Sequence, residues 1–122
     1  MIETPFQAIL RRAVESTPNA IGGAFACADG EMVDSFATID AHDWAVLTAH
    51  YGIVLQQLHD AFGTWHYGGP EYFIAEHKGL DIVVHIVEGG YFALLAVKVP
   101  APIGTALASL LEAVKALKKE MA

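Results

Sequence analysis

The stretch DAHDWAVLTAHYGIVLQQLHDAFG, from Asp40 to Gly63, decides the fold. Trp44, Leu47, Tyr51, Leu55, Leu58 and Phe62 step by three and four along it without a break, the spacing of one helix face. Asp40 with Asp43 resembles a capping box at the start, and Gly63 closes the run. These six residues fall within a narrow arc, which predicts a long helix lying on a sheet. A second stripe of small residues, Ala45, Ala49 and Gly52, would let another helix backbone approach closely. Val46, His50, Ile53 and Val54 stand on the other flank. A surface helix with one buried face does not need this much apolar surface, so the surplus points to a partner helix.

The segments around this helix complete the pattern. Before it, the runs Ala20–Cys27 and Glu31–Phe36 flank Asp29-Gly30, a pair that tolerates the positive φ angles of a tight hairpin turn. The first run carries no charge on either face and is expected inside a sheet; the second is more polar and is expected nearer an edge. Earlier still, Phe6, Ile9, Leu10, Ala13 and Val14 recur at helical spacing behind Thr4-Pro5, and Pro18 stops that helix near Ser16. After Gly63 come three strand-like runs, Glu71–His77, Leu80–Val87 and Tyr91–Val99. Lys78-Gly79 and Glu88-Gly89-Gly90 join them through turns short enough to force antiparallel pairing. Phe92–Val97 is apolar on both faces, as a central strand covered by helices should be. Pro102 opens a last helix with Ile103, Leu107, Leu110, Leu111, Val114, Leu117 and Met121 on one side. The order is α-β-β-α-β-β-β-α in one domain over residues 1–122: an α/β chain of the α+β kind, with a five-stranded antiparallel sheet between helices.

Composition narrows the function. The chain is 54% hydrophobic and 17% charged, richer in apolar and poorer in charged residues than a typical soluble domain. Part of that excess must reach the surface of so small a protein, which favours contact with another chain. The net charge of −7 and the dispersed basic residues argue against a nucleic-acid partner, and Lys115, Lys118 and Lys119 read as cations complementing the end of a helix dipole. The start has no basic segment followed by an apolar run, and Lys98, Pro100 and Pro102 interrupt the best apolar stretch. A cytoplasmic protein without membrane insertion is expected.

Chemistry is sparse. A single cysteine, Cys27, cannot form an internal disulfide, and inside a strand its thiol reads as packing. His42 and His50 lie too far apart on the long helix to share an ion, and His59 faces another way. His77 and His85 sit on adjacent strands that a short hairpin could bring within reach, but no HxH, HxxxH or His–Cys cluster exists. His50 and His77 fall in the expected interface, so a pH-sensitive dimer is conceivable. Asp40 and Asp43 read as caps rather than an acid–base pair. Ser16, Ser35 and Ser109 lack a nucleophile-elbow context, and Gly22-Gly23 and Gly68-Gly69-Pro70 lack the frame of a phosphate loop. Trp65-His66-Tyr67 reads as packing for the loop after the long helix. No catalytic residue, cofactor or metal is expected.

The element order and its punctuation resemble the Roadblock (dynein light chain) family across nearly the whole chain. The matching pieces are Pro18-Asn-Ala-Ile-Gly-Gly-Ala24, the Asp29-Gly30 hairpin and the capped helix after Ile39-Asp40. The Glu88-Gly89-Gly90-Tyr91 turn and Pro102-Ile103-Gly104-Thr105-Ala106 complete them. The resemblance implies a sheet in the order 2-1-5-4-3, with the long helix on one face and the two terminal helices on the other. It also implies a homodimer that pairs third strands edge to edge and long helices side by side. The interface residues would then be Ala45, Ala49, Gly52, Glu71, Phe73, Ala75 and His77. A stand-alone chain is most similar to the bacterial or archaeal members, regulators of the MglB type that bind Ras-like small GTPases. Leu107, where many bacterial relatives carry a basic residue, and the end at Ala122 depart from that pattern.

Two functions follow as expectations. One is a non-enzymatic homodimeric scaffold that presents His42, Val46, His50, Ile53 and Gln57 to a Ras-like GTPase and alters nucleotide turnover or location. The other is a ligand-sensing domain of profilin- or PAS-like form, with a pocket lined by Phe73, Tyr91 and Trp65.

Overall fold

The computed structural model describes residues 2–122. The elements are α1 (Pro5–Glu15), β1 (Ala20–Cys27), β2 (Met32–Ala37), α2 (Ala41–Phe62), β3 (Tyr72–His77), β4 (Leu80–Val87), β5 (Tyr91–Lys98) and α3 (Ile103–Met121). Local chemistry sets the helix ends. Thr4 Oγ1 accepts from the Gln7 N–H at 3.0 Å and Asp40 from the Asp43 N–H at 3.1 Å, as expected of the two N-caps. The tight turn after β1 holds Gly30 at φ +90°, with its N–H donating to the Cys27 carbonyl (2.8 Å).

The five strands form one antiparallel sheet in the order β2-β1-β5-β4-β3. The uncharged β1 is interior, the more polar β2 is an edge, and the doubly apolar β5 is central, as the patterns predict. Alternation along the strands separates two cores. Phe25, Val83, Ala93, Leu95 and Val97 face α1 and α3, where they meet Leu10, Val14, Leu110, Val114 and Leu117. Ala24, Ala26, Ile82, Val84, Phe92 and Leu94 face α2 and meet Trp44, Tyr51 and Leu55. Each fully buried large side chain contributes about 1.5–3 kcal/mol relative to exposure.

The helix stripe corrects one expectation. Trp44, Tyr51 and Leu55 are buried and Leu47 and Leu58 half-buried, but Phe62 is exposed and does not lie on the sheet. The cause is length. The 22 residues of α2 span about 33 Å, whereas the longest strands have 8 residues and span about 26 Å. Trp44 lies over Gly22 and Gly52 over the β1–β2 turn, so the last turns of α2 overhang the end of the sheet.

Two glycines determine where α2 sits. A Cβ on Gly22 would lie 2.8–3.0 Å from the six-membered ring of Trp44, and one on Gly52 would lie 2.9 Å from the Gly30 Cα. The helix is therefore drawn against β1, β2 and their turn. Among the described residues β3 pairs with β4 and meets α2 through Phe73 and His77 against Tyr51. Gly22→Ala is expected to cost about 1–3 kcal/mol, because the buried indole cannot move aside. Gly104→Ala on α3, where a Cβ meets nothing within 4 Å, is expected to stabilise by about 0.5 kcal/mol. Urea unfolding of the two variants beside the parent chain measures both.

Candidate functional site

The two edges of the sheet are finished differently. At β2 a register shift between Phe25 and Ala26 bends the pairing, α1 packs alongside, and the Thr4 hydroxyl hydrogen-bonds the Asp34 carboxylate. Bulges and covering helices of this kind protect an edge from further pairing. At β3 none of these devices is present among the described residues. Tyr72 and Ile74 are exposed on one face, and Phe73 and Ala75 are half-buried on the other.

The register shows which groups are open. Glu71 accepts from the Ile86 N–H at 2.8 Å, and the pairing continues through Phe73↔Val84, Ala75↔Ile82 and His77↔Leu80. In an antiparallel ladder the alternate residues point their backbone N–H and C=O groups the other way. Tyr72, Ile74 and Glu76 therefore aim theirs outward, where no strand of this chain reaches them.

Beside this edge runs a groove of about 510 Å³ between α2 and β3, lined among others by Leu47, His50, Tyr51, Val54, Phe73 and His77. The Tyr51 hydroxyl and His77 Nε2 hydrogen-bond across it, and the two rings meet edge to face at 5.9 Å. His50 directs Nδ1 to the Val46 carbonyl at 2.8 Å. A carbonyl only accepts, so this nitrogen carries the proton. Burial pushes the Tyr51 phenol above its ordinary pKa, since the phenolate would lose hydration there.

Three sets of residues thus surround α2. Its buried side holds Trp44, Thr48, Tyr51 and Leu55. The flank towards β3 holds Leu47, His50, Val54 and Leu58. Outermost stand His42, Val46, Ile53 and Gln57, all exposed, with Ile53 at 57% of its full surface. Structure comparison gives this arrangement its relatives. Myxococcus xanthus MglB superposes with a TM-score of 0.86 at 14% identity, over 97% of this chain and 95% of that one. A Roadblock/LC7 domain from Streptomyces avermitilis gives 0.84 at 12% identity, covering 94% and 96%. The chain has the Roadblock/LC7 fold.

Myxococcus xanthus MglC shares the Roadblock/LC7 fold less tightly, at TM-score 0.71 and 20% identity, covering 96% and 99%. Profilin II of Acanthamoeba castellanii matches more loosely, at 0.56 and 12%, covering 96% and 99%. No protein-family model and no curated protein matches the sequence.

Within the Roadblock/LC7 frame the expected residues divide. His42, Val46, His50, Ile53 and Gln57 form one exposed surface. Glu71, Phe73, Ala75 and His77 lie along or beside the open edge, and Ala45 is exposed on α2. Gly52 and Ala49 are a correction. They pack against the chain's own β1–β2 turn, where an added Cβ on Gly30 would come 3.4 Å from the Ala49 Cα, and Gly52 is buried. This stripe lies on the side of α2 away from β3, so its small residues admit a turn rather than a second helix. The flank that meets the open edge carries His50 and Val54, which the sequence pattern assigns to a partner helix, and Leu47, which it assigns to the sheet.

The histidines are dispersed. His77 faces α2 at one end of β3, whereas His85 pairs with Tyr72 at the other end and stacks on it at 6.0 Å, so the two do not meet. Among the described residues no group of three or more His, Cys, Asp or Glu could hold a metal. Burial, then the charges of Asp29 and Glu31, raise the pKa of the Cys27 thiol, which opposes thiolate formation. Phe73 lies on the α2 face, Tyr91 packs with Phe25 on the opposite face, and Trp65 stands in the exposed loop. These three do not converge, which corrects the ligand pocket expected of them. Among the described residues no helix is long and apolar enough to cross a membrane.

The Tyr51 shift has a definite pH sign. The folded chain holds this proton more tightly than the unfolded one, so stability is full below pH about 10 and falls as pH rises through the folded value. Tyr51→Phe is expected to remove a phenol whose ionisation is delayed by burial and to flatten the alkaline fall in stability. Its cost at neutral pH is about 1 kcal/mol for the lost hydrogen bond. Phenolate absorbance and urea unfolding across alkaline pH test this.

Proposed function

We propose that the chain is a non-enzymatic homodimeric regulator that binds a Ras-like small GTPase. The observation that carries this reading is the open edge of β3 beside the apolar flank of α2. An unpaired strand with apolar groups on both faces is a template for another strand, and a second copy offers the complementary edge by two-fold symmetry. Pairing β3 with β3 would extend the sheet through both protomers and bring Leu47, His50 and Val54 of each α2 together over Phe73, Ala75 and His77. Glu71 would flank that contact, and Ala45 would remain at its margin.

The outer faces of the two helices would then form a platform of His42, Val46, Ile53 and Gln57, with His50 where the helices meet. A GTPase held there would change its nucleotide turnover through the shape its switch segments adopt, because the platform offers no catalytic group. The likeness to MglB and MglC supports this reading, and one MglB structure of the same fold has a tetrameric arrangement.

Two variants separate assembly from partner binding. Val54→Glu would place a carboxylate in the pairing groove and is expected to weaken the dimer by about 2 kcal/mol, roughly thirtyfold. Ile53→Glu is expected to leave the dimer intact and abolish capture of a Ras-like GTPase from the same genome. Light scattering reads the first result and a pull-down with GTP-loaded GTPase the second. A parent chain that stays monomeric at high concentration, or a GTPase captured equally by Ile53→Glu, contradicts the proposal.

A further inference from the structure

The overhang of α2 leaves a second feature, which adjoins the β3 groove at Leu58 and Pro70. Beneath its last turns, at the end of the sheet that carries the β1–β2 and β4–β5 turns, is a half-open cavity of about 440 Å³. Leu55 and Leu58 form its roof, Ala28 and Ile86 its floor, and Pro70 and Glu71 its mouth. The volume lies within the range of sites that take a small ligand or an anchoring side chain.

Its origin is the length mismatch between α2 and the strands. The helical stripe continues past the last residues that could pack beneath it, so Leu58 keeps an apolar face without a full complement of neighbours. The loop from Gly63 to Glu71 folds back under the overhang without filling the gap, and its aromatic residues turn outward. Trp65 is 54% and Tyr67 86% exposed.

The charge around the mouth has one sign. Glu71 lines it, and Asp29, Asp60 and Glu88 stand one or two positions from the lining residues Ala28, His59 and Gly90. Asp60 is held by the Gln56 amide at 3.2 Å. No lysine or arginine occurs between Arg12 and Lys78, or between Lys78 and Lys98, and none lines the cavity, whose one basic side chain is His59. An apolar hollow with the Glu71 carboxylate in its lining, on a chain of net charge −7, favours an apolar group with positive charge beside it.

We propose that this cavity is a docking site for a partner protein's segment in which one or two large apolar residues are flanked by lysines or arginines. The apolar residues enter beneath Leu55 and Leu58, and the flanking cations meet Glu71, Asp60 and Asp29. The outward edge of β3 and the outer face of α2 stay clear of this contact. The site therefore extends the regulator reading without depending on it.

The test uses the full chain and a fluorescein-labelled hexapeptide, Lys-Lys-Leu-Phe-Lys-Lys, followed by anisotropy. Saturable binding is expected, about tenfold weaker for Glu-Glu-Leu-Phe-Glu-Glu and for Lys-Lys-Ala-Ala-Lys-Lys, and weakened several-fold by raised salt. Glu71→Lys, an exposed change, is expected to lower affinity about tenfold with Tm unaltered. Leu58→Gln is expected to do so by narrowing the apolar roof. Amide shifts on titration should gather at Gly69, Ile86 and Gly90. Val54→Glu and Ile53→Glu should leave peptide binding unchanged, which keeps failure here distinct from failure of the dimer or GTPase reading. The proposal is overturned by flat anisotropy up to about 1 mM protein, by equal binding of the acidic peptide, or by a folded Glu71→Lys chain that binds as before. Shifts gathered at Val46 and Ile53, or full competition by hexylamine, overturn it as well.

Discussion

The seat of α2 on the sheet controls everything functional in this molecule. Two backbone approaches set it: Trp44 over Gly22 and the Gly30 turn against Gly52, neither of which tolerates a Cβ. Both contacts lie at the β2 side of the sheet, so the helix is displaced towards that edge. With α1 and α3 covering β1, β2, β4 and β5 from the other face, β3 is the strand left with little cover. Its open hydrogen-bonding edge, the groove towards Val54 and the exposed outer face of α2 all follow from this placement.

The same displacement, combined with a helix longer than its strands, produces two adjoining apolar features. One runs along β3, with Leu47, Val54 and Phe73 around the Tyr51–His77 hydrogen bond. The other lies under the helix end and has Glu71 in its lining. The residues expected to line a ligand pocket, Phe73, Tyr91 and Trp65, are distributed over both faces of the sheet and a loop.

Much of this was legible in the sequence because it rests on local chemistry. The Asp40 and Thr4 caps, the Asp29-Gly30 turn and the doubly apolar Phe92–Val97 run define elements and their places in the sheet without tertiary knowledge. Exposure of His42, Val46, Ile53 and Gln57 also follows from helical periodicity. What periodicity does not encode is which neighbour a face meets. Ala49 and Gly52 have the size that a second helix would need, and equally the size that the chain's own turn needs; only the register of the turn against the helix decides. The overhang of Leu58 and Phe62 was hidden for a related reason, since their spacing continues a stripe whose support ends earlier. Gly52 in the middle of the helix, paired with a left-handed Gly30, was the available sign of an internal contact.

The central claim is that the outward groups of β3 are satisfied by a second copy of the chain. Amide hydrogen exchange of Ile74, followed by NMR over a dilution series, tests it most directly, because this N–H points away from β4 and is protected only by a further strand. Protection at high protein concentration that disappears on dilution, with the inward-bonded Ala75 N–H protected throughout, is the expected result. Rapid exchange of Ile74 at every concentration would contradict the account and leave β3 an unpaired edge.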